Sequence, residues 1–395
     1  MNIFSKIVGL ILTVLLARYL GPAQLGYFSF VVSVAGALVM IFGFGIPGYI
    51  QRHVASRDEI CGDAGSIVSA AVCLSFRLAF LSFVSAIILG VIAKTFFGRE
   101  SAILLFSLAG LYSIPMLLGG IFESVLIALH KLHRALTPSV LRDILRLLLV
   151  VIAVNVFRNF VSVVLSYALA FTLYSFLLYR VVREFSSGPP ESARNVLAAA
   201  VPYLFFGLAN MLLSYTDVVM LSALCPISEV GYYRVAQLTV SAILSLLPIA
   251  AVSLPTLSRA AVRGELKRKF LMLILLSVLV SALSILLFSA VGPYLILWFF
   301  SSQYAPSIPI FRILLFLIPS SFVYSLSIQA LVAAGREKEQ VVYPLIAGAL
   351  NIILNYALIL RFGVIGAAIA TVVSMAVAGF VASARLMFLR EQVHA

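Results

Sequence analysis

Twelve uninterrupted apolar runs, each of about the length needed to cross a bilayer as a helix, confine this chain to a membrane-embedded fold. They fall at 3–20, 24–50, 65–93, 101–129, 138–157, 160–182, 196–224, 232–257, 270–291, 305–333, 341–360 and 363–388. Spanning the hydrocarbon takes about 20 mostly apolar residues. The runs are continuous, without the alternation of a membrane β-barrel, so they read as helices. Only 10% of the residues are charged and 63% are hydrophobic, against about 25% charged in soluble domains. The first run is short for a span, as if a few residues preceded Met1. It leads straight into a second run with no small-residue cleavage site, which argues against a cleavable signal peptide.

The net charge of +13 does not point to nucleic acid, because the basic residues follow the membrane. With the N-terminus inside, eighteen of the 27 Lys and Arg fall in inner segments, against four (Lys94, Arg99, Arg158 and Arg361) in outer ones. That bias places both termini in the cytoplasm. The longest polar stretches, 51–63, 182–195 and 258–269, are all on the inner side and none is long enough for a soluble domain. The absence of a large loop weighs against a membrane-embedded glycan enzyme. Cys61, Cys73 and Cys225 are expected inside, within a span and outside, so no pair is placed to form a disulfide.

The chain repeats itself. Leu16-Ala17-Arg18-Tyr19-Leu20-Gly21-Pro22 stops the first run, with Gly26-Tyr27-Phe28-Ser29 following. In the second half Cys225-Pro226 and Gly231-Tyr232-Tyr233 echo it. The sixth run overlies the twelfth at an offset of 204, and Leu126-Ile127-Ala128 meets Leu331-Val332-Ala333 at 205. Six spans separate the copies, so both halves have the same orientation, related by a pseudo-twofold axis along the membrane normal. The expected fold is therefore an all-α integral membrane protein of about twelve helices in two six-helix lobes. The lobes are 1–182 and 196–395, joined by a cytoplasmic linker at 183–195 that holds Ser186-Ser187-Gly188-Pro189-Pro190. Pro115, Pro202, Pro248, Pro319 and Pro344 fall inside spans, where each is expected to kink its helix. Gly43, Gly45 and Gly48 near the end of the second run either loosen it or allow close helix packing, and packing is the preferred reading.

These features, with Asn351-Ile352-Ile353-Leu354-Asn355 and Gly363 to Thr371, resemble the polysaccharide-export branch of the multidrug/oligosaccharidyl-lipid/polysaccharide flippase superfamily, over nearly the whole chain. The resemblance implies an alternating-access carrier with a central cationic cavity. It implies movement of an isoprenoid pyrophosphate-linked oligosaccharide from the inner to the outer leaflet of the cell membrane, for cell-surface polysaccharide or glycan synthesis. The implied partners are that lipid-linked substrate, membrane lipids, and the glycosyltransferases and polymerase of the pathway, with the carrier itself a monomer. A cation-coupled drug or metabolite antiporter of the same superfamily is the alternative. Peptidoglycan lipid flippases usually carry fourteen spans, and a major-facilitator carrier would show a Gly-x-x-x-Asp-Arg loop where this chain reads Gln51-Arg52-His53-Val54-Ala55-Ser56-Arg57.

Ionisable groups within the hydrocarbon are costly and mark functional sites by default. A carrier of a pyrophosphate lipid needs fixed positive charge, which arginine presents as a planar fork. Arg77, deep in the third run, is the foremost candidate. Arg52, Arg146, Arg234 and Arg312 join it, with Glu123 as the acidic member and an Arg77–Glu123 ion pair as the structural alternative. Arg18 is read as an anchor for its turn, and His130 and His133 as a solvated loop rather than a metal site. Asp217 has no basic neighbour at i±3 or i±4, and Asn351 and Asn355 share a helix face. Peptidoglycan lipid flippases hold sodium between an Asp of the seventh span, a polar i, i+4 pair of the eleventh and a Thr of the twelfth. The resemblance thus implies a coupling sodium ion, or a proton, at Asp217, Asn351, Asn355 and Thr371. No catalytic group and no other cofactor is expected.

Overall fold

The structure, a computed structural model, describes residues 3–54, 63–98, 100–187, 189–247 and 249–389; Ala55, Ser56, Arg57, Cys61, Arg99, Gly188 and Pro248, named in the sequence reading, lie outside them. The described residues form helices and no strand. These are α1 (Ile3–Phe42), α2 (Ile46–His53), α3 (Asp63–Phe97), α4 (Ala102–Ala128), α5 (His133–Val156), α6 (Phe160–Arg183), α7 (Ala193–Leu224), α8 (Ile227–Leu246), α9 (Ile249–Val262), α10 (Leu266–Phe300), α11 (Ser307–Leu314), α12 (Leu317–Ala333), α13 (Val342–Phe362) and α14 (Val364–Phe388). They group into two compact units, Met1–Met211 and Leu212–Ala395, so α7 carries the chain from one to the other.

Nine helices among the described residues are long and apolar enough to cross a membrane. Counting the two arms of α1 separately, and adding α5 and the α8–α9 pair, brings the nine to the twelve that the sequence predicts. The arms of α1 meet at Gly21, whose φ of 74° and ψ of 176° are not helical. α5 falls short of an apolar span because Arg142, Asp143 and Arg146 lie within one turn and a half of it. The α8–α9 span is broken at Leu247 (φ −113°, ψ 77°). The 18-residue apolar stretch of α10 has a mean hydropathy of 2.9, yet only 22% of it is buried by protein. Leu275, Leu279, Leu283 and Leu286 are exposed along it, an arrangement that lipid, not water, stabilises.

Gly21 lies in a backbone region open in practice only to glycine. Pro22 then follows without loss, since the first turn of a helix lacks hydrogen-bonded N–H groups anyway. Gly21→Ala is expected to lower stability by about 1–3 kcal/mol, read as an earlier thermal melt of the purified protein. An unchanged melt would mean that the break tolerates a side chain.

In the N-terminal unit α4 is the central post, packing most extensively on α3 and α6. Its small residues admit neighbours. A Cβ on Gly110 would sit 2.7 Å from the Ala86 Cβ and one on Gly119 3.1 Å from the Tyr174 ring, while Ser82 and Ser113 share a 2.7 Å hydrogen bond. Gly45 and Gly48 pack against Ala200, Tyr203 and Leu204 in the first half of α7, as the close-packing reading expects. In the C-terminal unit α14 packs on α12 and α13. The α13–α14 turn rests on one residue, Gly363, with φ 57° and ψ −138°. Pro115 and Pro202 lie inside α4 and α7. Pro319 bears out the expectation of a kink: the span Ser307–Ala333 breaks between α11 and α12 at Leu315-Phe316, where Pro319 has no N–H for the Leu315 carbonyl. Pro344 corrects it. It is the third residue of α13, where the missing N–H had no intrahelical partner, so this proline starts a helix instead of bending one.

Candidate functional site

Two polar clusters occur where the helices should be apolar, one in each unit, and they differ in chemistry. In the C-terminal unit Asp217 is 3% exposed, Asn351 1% and Asn355 0%. Asp217 Oδ1 accepts from Asn355 Nδ2 at 2.8 Å. Its Oδ2 accepts from the Tyr233 hydroxyl at 2.6 Å and from Thr371 Oγ1 at 2.8 Å. Asn355 Nδ2 also donates to Asn351 Oδ1 at 2.9 Å, and Asn351 Nδ2 reaches Ser374 Oγ at 3.5 Å. Four helices supply the cluster: α7 the carboxylate, α8 the tyrosine, α13 the i, i+4 amides and α14 the two hydroxyls.

The geometry brings together the four residues that the sequence singles out and adds Tyr233 and Ser374. Three donors converge on one carboxylate, and no basic side chain among the described residues pairs with it. Asn355 Oδ1 is buried with no donor. Turned over, that amide would add its oxygen to those of Asp217, Asn351 and Thr371, an all-oxygen set of the kind that hard cations take. The ligand types therefore suit a hard cation. No group of three or more His, Cys, Asp or Glu side chains that could hold a metal occurs among the described residues, so a cation here would rest mainly on amide and hydroxyl oxygens.

In the N-terminal unit the cluster centres on Asp143, which is fully buried. Its Oδ1 accepts from Arg142 Nε at 3.0 Å and from Arg146 Nη2 at 3.2 Å. Its Oδ2 accepts from Arg142 Nη2 at 3.2 Å and from the Ser5 hydroxyl of α1. The Arg142 guanidinium lies over Phe171 and Tyr174, at 5.0 and 4.5 Å, and that of Arg146 over Tyr167 at 5.2 Å. Arg142, Arg146 and Glu123 line a cavity of about 430 Å³ between α1, α4, α5 and α6. Asp143 is a third acid within the spans, where the sequence reading names only Glu123 and Asp217, and Arg142 stands beside it in α5. The signal was present in the i, i+3 spacing of Asp143 and Arg146.

The remaining predicted residues lie apart from these clusters. Arg77 is exposed midway along α3, and no ion pair joins it to Glu123, whose Oε2 instead accepts from the Tyr174 hydroxyl at 2.9 Å. Arg52 is exposed in the last turn of α2 and Arg312 in that of α11. Arg234, half-buried in α8, donates to Gln237 Oε1 at 2.8 Å. His130 is exposed in the α4–α5 turn and His133 at the first residue of α5.

A family model described as polysaccharide biosynthesis protein matches residues 1–261. The probable flippase AglR of Haloferax volcanii is 27% identical over 402 aligned positions, covering 96% of this chain and 80% of AglR. Among solved structures, the lipid II flippase MurJ in an inward closed conformation superposes with a TM-score of 0.77 at 17% identity, over 98% of this chain and 85% of that one. An inward-facing multidrug resistance MATE family transporter of the MOP superfamily gives 0.76 at 16%, over 98% and 94%. A MOP superfamily transporter from Pyrococcus furiosus gives 0.66 at 15%, over 96% and 91%. At these identities the structural likenesses establish the fold alone.

Proposed function

The chain belongs to the polysaccharide biosynthesis protein family, matched over residues 1–261, and on that premise we propose that it is an alternating-access flippase for an isoprenoid pyrophosphate-linked oligosaccharide. It moves this substrate from the inner to the outer leaflet of the cell membrane for surface glycan synthesis, with both termini cytoplasmic. Glycosyltransferases and a polymerase of the same pathway make and use the glycan.

The observation that carries the reading is Arg77: an arginine in the middle of a membrane span, exposed, with no acidic partner among the described residues. Fixed positive charge at that depth is expensive beside hydrocarbon and is retained where an anion compensates it. A pyrophosphate supplies two negatively charged groups that the planar guanidinium can grip together. Arg52, Arg234 and Arg312 offer further positive charge on α2, α8 and α11, and Arg146 and Glu123 line the N-terminal cavity. Arg77→Ala is expected to abolish export of the lipid-linked glycan while the protein still folds and reaches the membrane. Arg77→Lys should restore only part of it, because a point charge lacks the fork. Export by the alanine variant at the native rate would remove Arg77 from the site.

A cation-coupled drug or metabolite antiporter is the second reading, compatible with the likeness to a multidrug resistance MATE family transporter, and the buried Asp217 cluster suits a coupling ion under either reading. Asp217, Asn351, Asn355 and Thr371 would hold that ion, sodium or a proton, and its binding there would neutralise the one formal negative charge of the cluster. Asn355 Nδ2 now faces Asp217, so sodium ligation by its orphaned Oδ1 requires that amide to turn over. Accumulation of a lipophilic cation in cells lacking the protein, reversed on its expression, would favour this reading over the first.

A further inference from the structure

The cavity of the N-terminal unit has walls of both charge signs, and the hydrogen bonds show which parts of them are spent. Asp143 takes three guanidinium N–H groups and the Ser5 hydroxyl, so its carboxylate is fully used. It neutralises one of the two arginines and leaves one positive charge. Arg146 Nε is buried with no acceptor, and the Nη1 groups of Arg142 and Arg146 have none among the described residues. Aromatic rings fix both guanidinium planes, so these donors are held in place before any ligand arrives. Glu123 accepts one hydrogen bond from Tyr174, over whose ring Arg142 lies, and pairs with no basic side chain among the described residues. The described charges therefore sum to zero while Glu123 and one positive charge stay unpaired, an arrangement that favours a dipolar ligand over a net anion or cation.

We propose that this cavity binds a small zwitterion, with its oxyanion on Arg142 and Arg146 and its ammonium group on Glu123. Its volume of about 430 Å³ lies within the range of small-molecule sites. Arg142 and Arg146 come nine and thirteen residues after His133, roughly 14 and 20 Å along α5, and Glu123 five residues before Ala128, roughly 8 Å from the end of α4. The oxyanion thus lies deeper than the ammonium. This is the order presented by an aminated phospholipid headgroup entering beside the α4–α5 turn, and also by a free amino-bearing phosphate. The inference stands on the N-terminal unit alone and does not depend on what the protein transports.

Calorimetric titration of the purified full chain with phosphoethanolamine, inorganic phosphate and ethanolamine tests it. Phosphoethanolamine should bind about tenfold more tightly than either fragment. Arg146→Gln should weaken it by at least as much, and Glu123→Gln should erase its advantage over phosphate. Should Arg146→Gln not yield folded protein, Ser139→Phe fills the cavity with every charge intact and must also abolish binding. Loss of the phosphoethanolamine signal in nanodiscs containing phosphatidylethanolamine, but not in phosphatidylglycerol alone, identifies the lipid headgroup as the ligand; a signal in both identifies a soluble zwitterion. Equal affinity for phosphate and phosphoethanolamine, or no binding of any probe at millimolar concentration, overturns the proposal and leaves the charges as a self-neutralised packing network.

Discussion

Asp217→Ala is expected to reduce transport to background while costing only about 1–3 kcal/mol of stability. The two effects separate because the donors around the carboxylate are unequally dependent on it. Asn355 Nδ2 keeps Asn351 Oδ1 at 2.9 Å, and Thr371 Oγ1 keeps the carbonyl of Ala367 at 2.8 Å. Only the Tyr233 hydroxyl, fully buried, falls back on the longer 3.2 Å contact with Thr371. One stranded donor, not three, sets the stability cost. Hydrogen bonds between membrane helices average nearer 0.6 kcal/mol (roughly) in double-mutant cycles, which also argues for the low end. Function should suffer far more, because no other acid belongs to the cluster. Export measured with sodium and pH varied independently should follow one of the two gradients in the native protein and neither in Asp217→Ala. Asp217→Asn keeps the shape and one acceptor oxygen, so it should melt close to native and still lose coupling. Full activity of the Asn variant, together with indifference of the native protein to both gradients, would reduce the cluster to helix packing.

The membrane class and the number of spans were legible because bilayer thickness imposes one length on every crossing helix, whatever surrounds it. The Asp217 cluster was legible in part. Its amides lie four residues apart on one helix, a spacing visible in sequence, but their convergence with Asp217 and Thr371 came from the family resemblance. Tyr233 escaped notice because it follows Gly231-Tyr232, where the repeat of the first turn already explained it. Nothing local says that its hydroxyl reaches a carboxylate sixteen residues earlier. Arg142 and Asp143 were hidden for another reason. A charged stretch near a span end reads as loop, and only the packing of α1, α4 and α6 around it shows that α5 begins at His133 and takes these charges into the protein. Pro344 was misread because an apolar run does not reveal where within it a helix starts.

Gly45→Ala is expected to be severely damaging to the N-terminal unit. Gly45 precedes α2 with φ 72° and ψ 2°, a left-handed conformation that costs a residue with a side chain roughly 1–2 kcal/mol. The added Cβ would also meet backbone, not flexible side chains: it would overlap the Leu204 amide nitrogen and lie 2.5 Å from the Ala200 carbonyl oxygen and 2.7 Å from the Tyr203 carbonyl carbon. Backbone of α7 yields only if the helix moves, and overpacking of this kind adds about 1–3 kcal/mol. The two terms together, roughly 2–5 kcal/mol, are a large fraction of the 5–15 or so that typically holds a native protein together. Gly120 is the matched control: it lies inside α4, and a Cβ there meets nothing within 4 Å. Gly120→Ala should be neutral or raise stability by up to about 1 kcal/mol through helix propensity. Melting of both variants by size-exclusion after heating gives the comparison. Gly45→Ala should yield little monodisperse protein or melt well below native, while Gly120→Ala should match or exceed native. A Gly45→Ala melt indistinguishable from that of Gly120→Ala would show that α2 does not press on α7 as closely as this geometry requires.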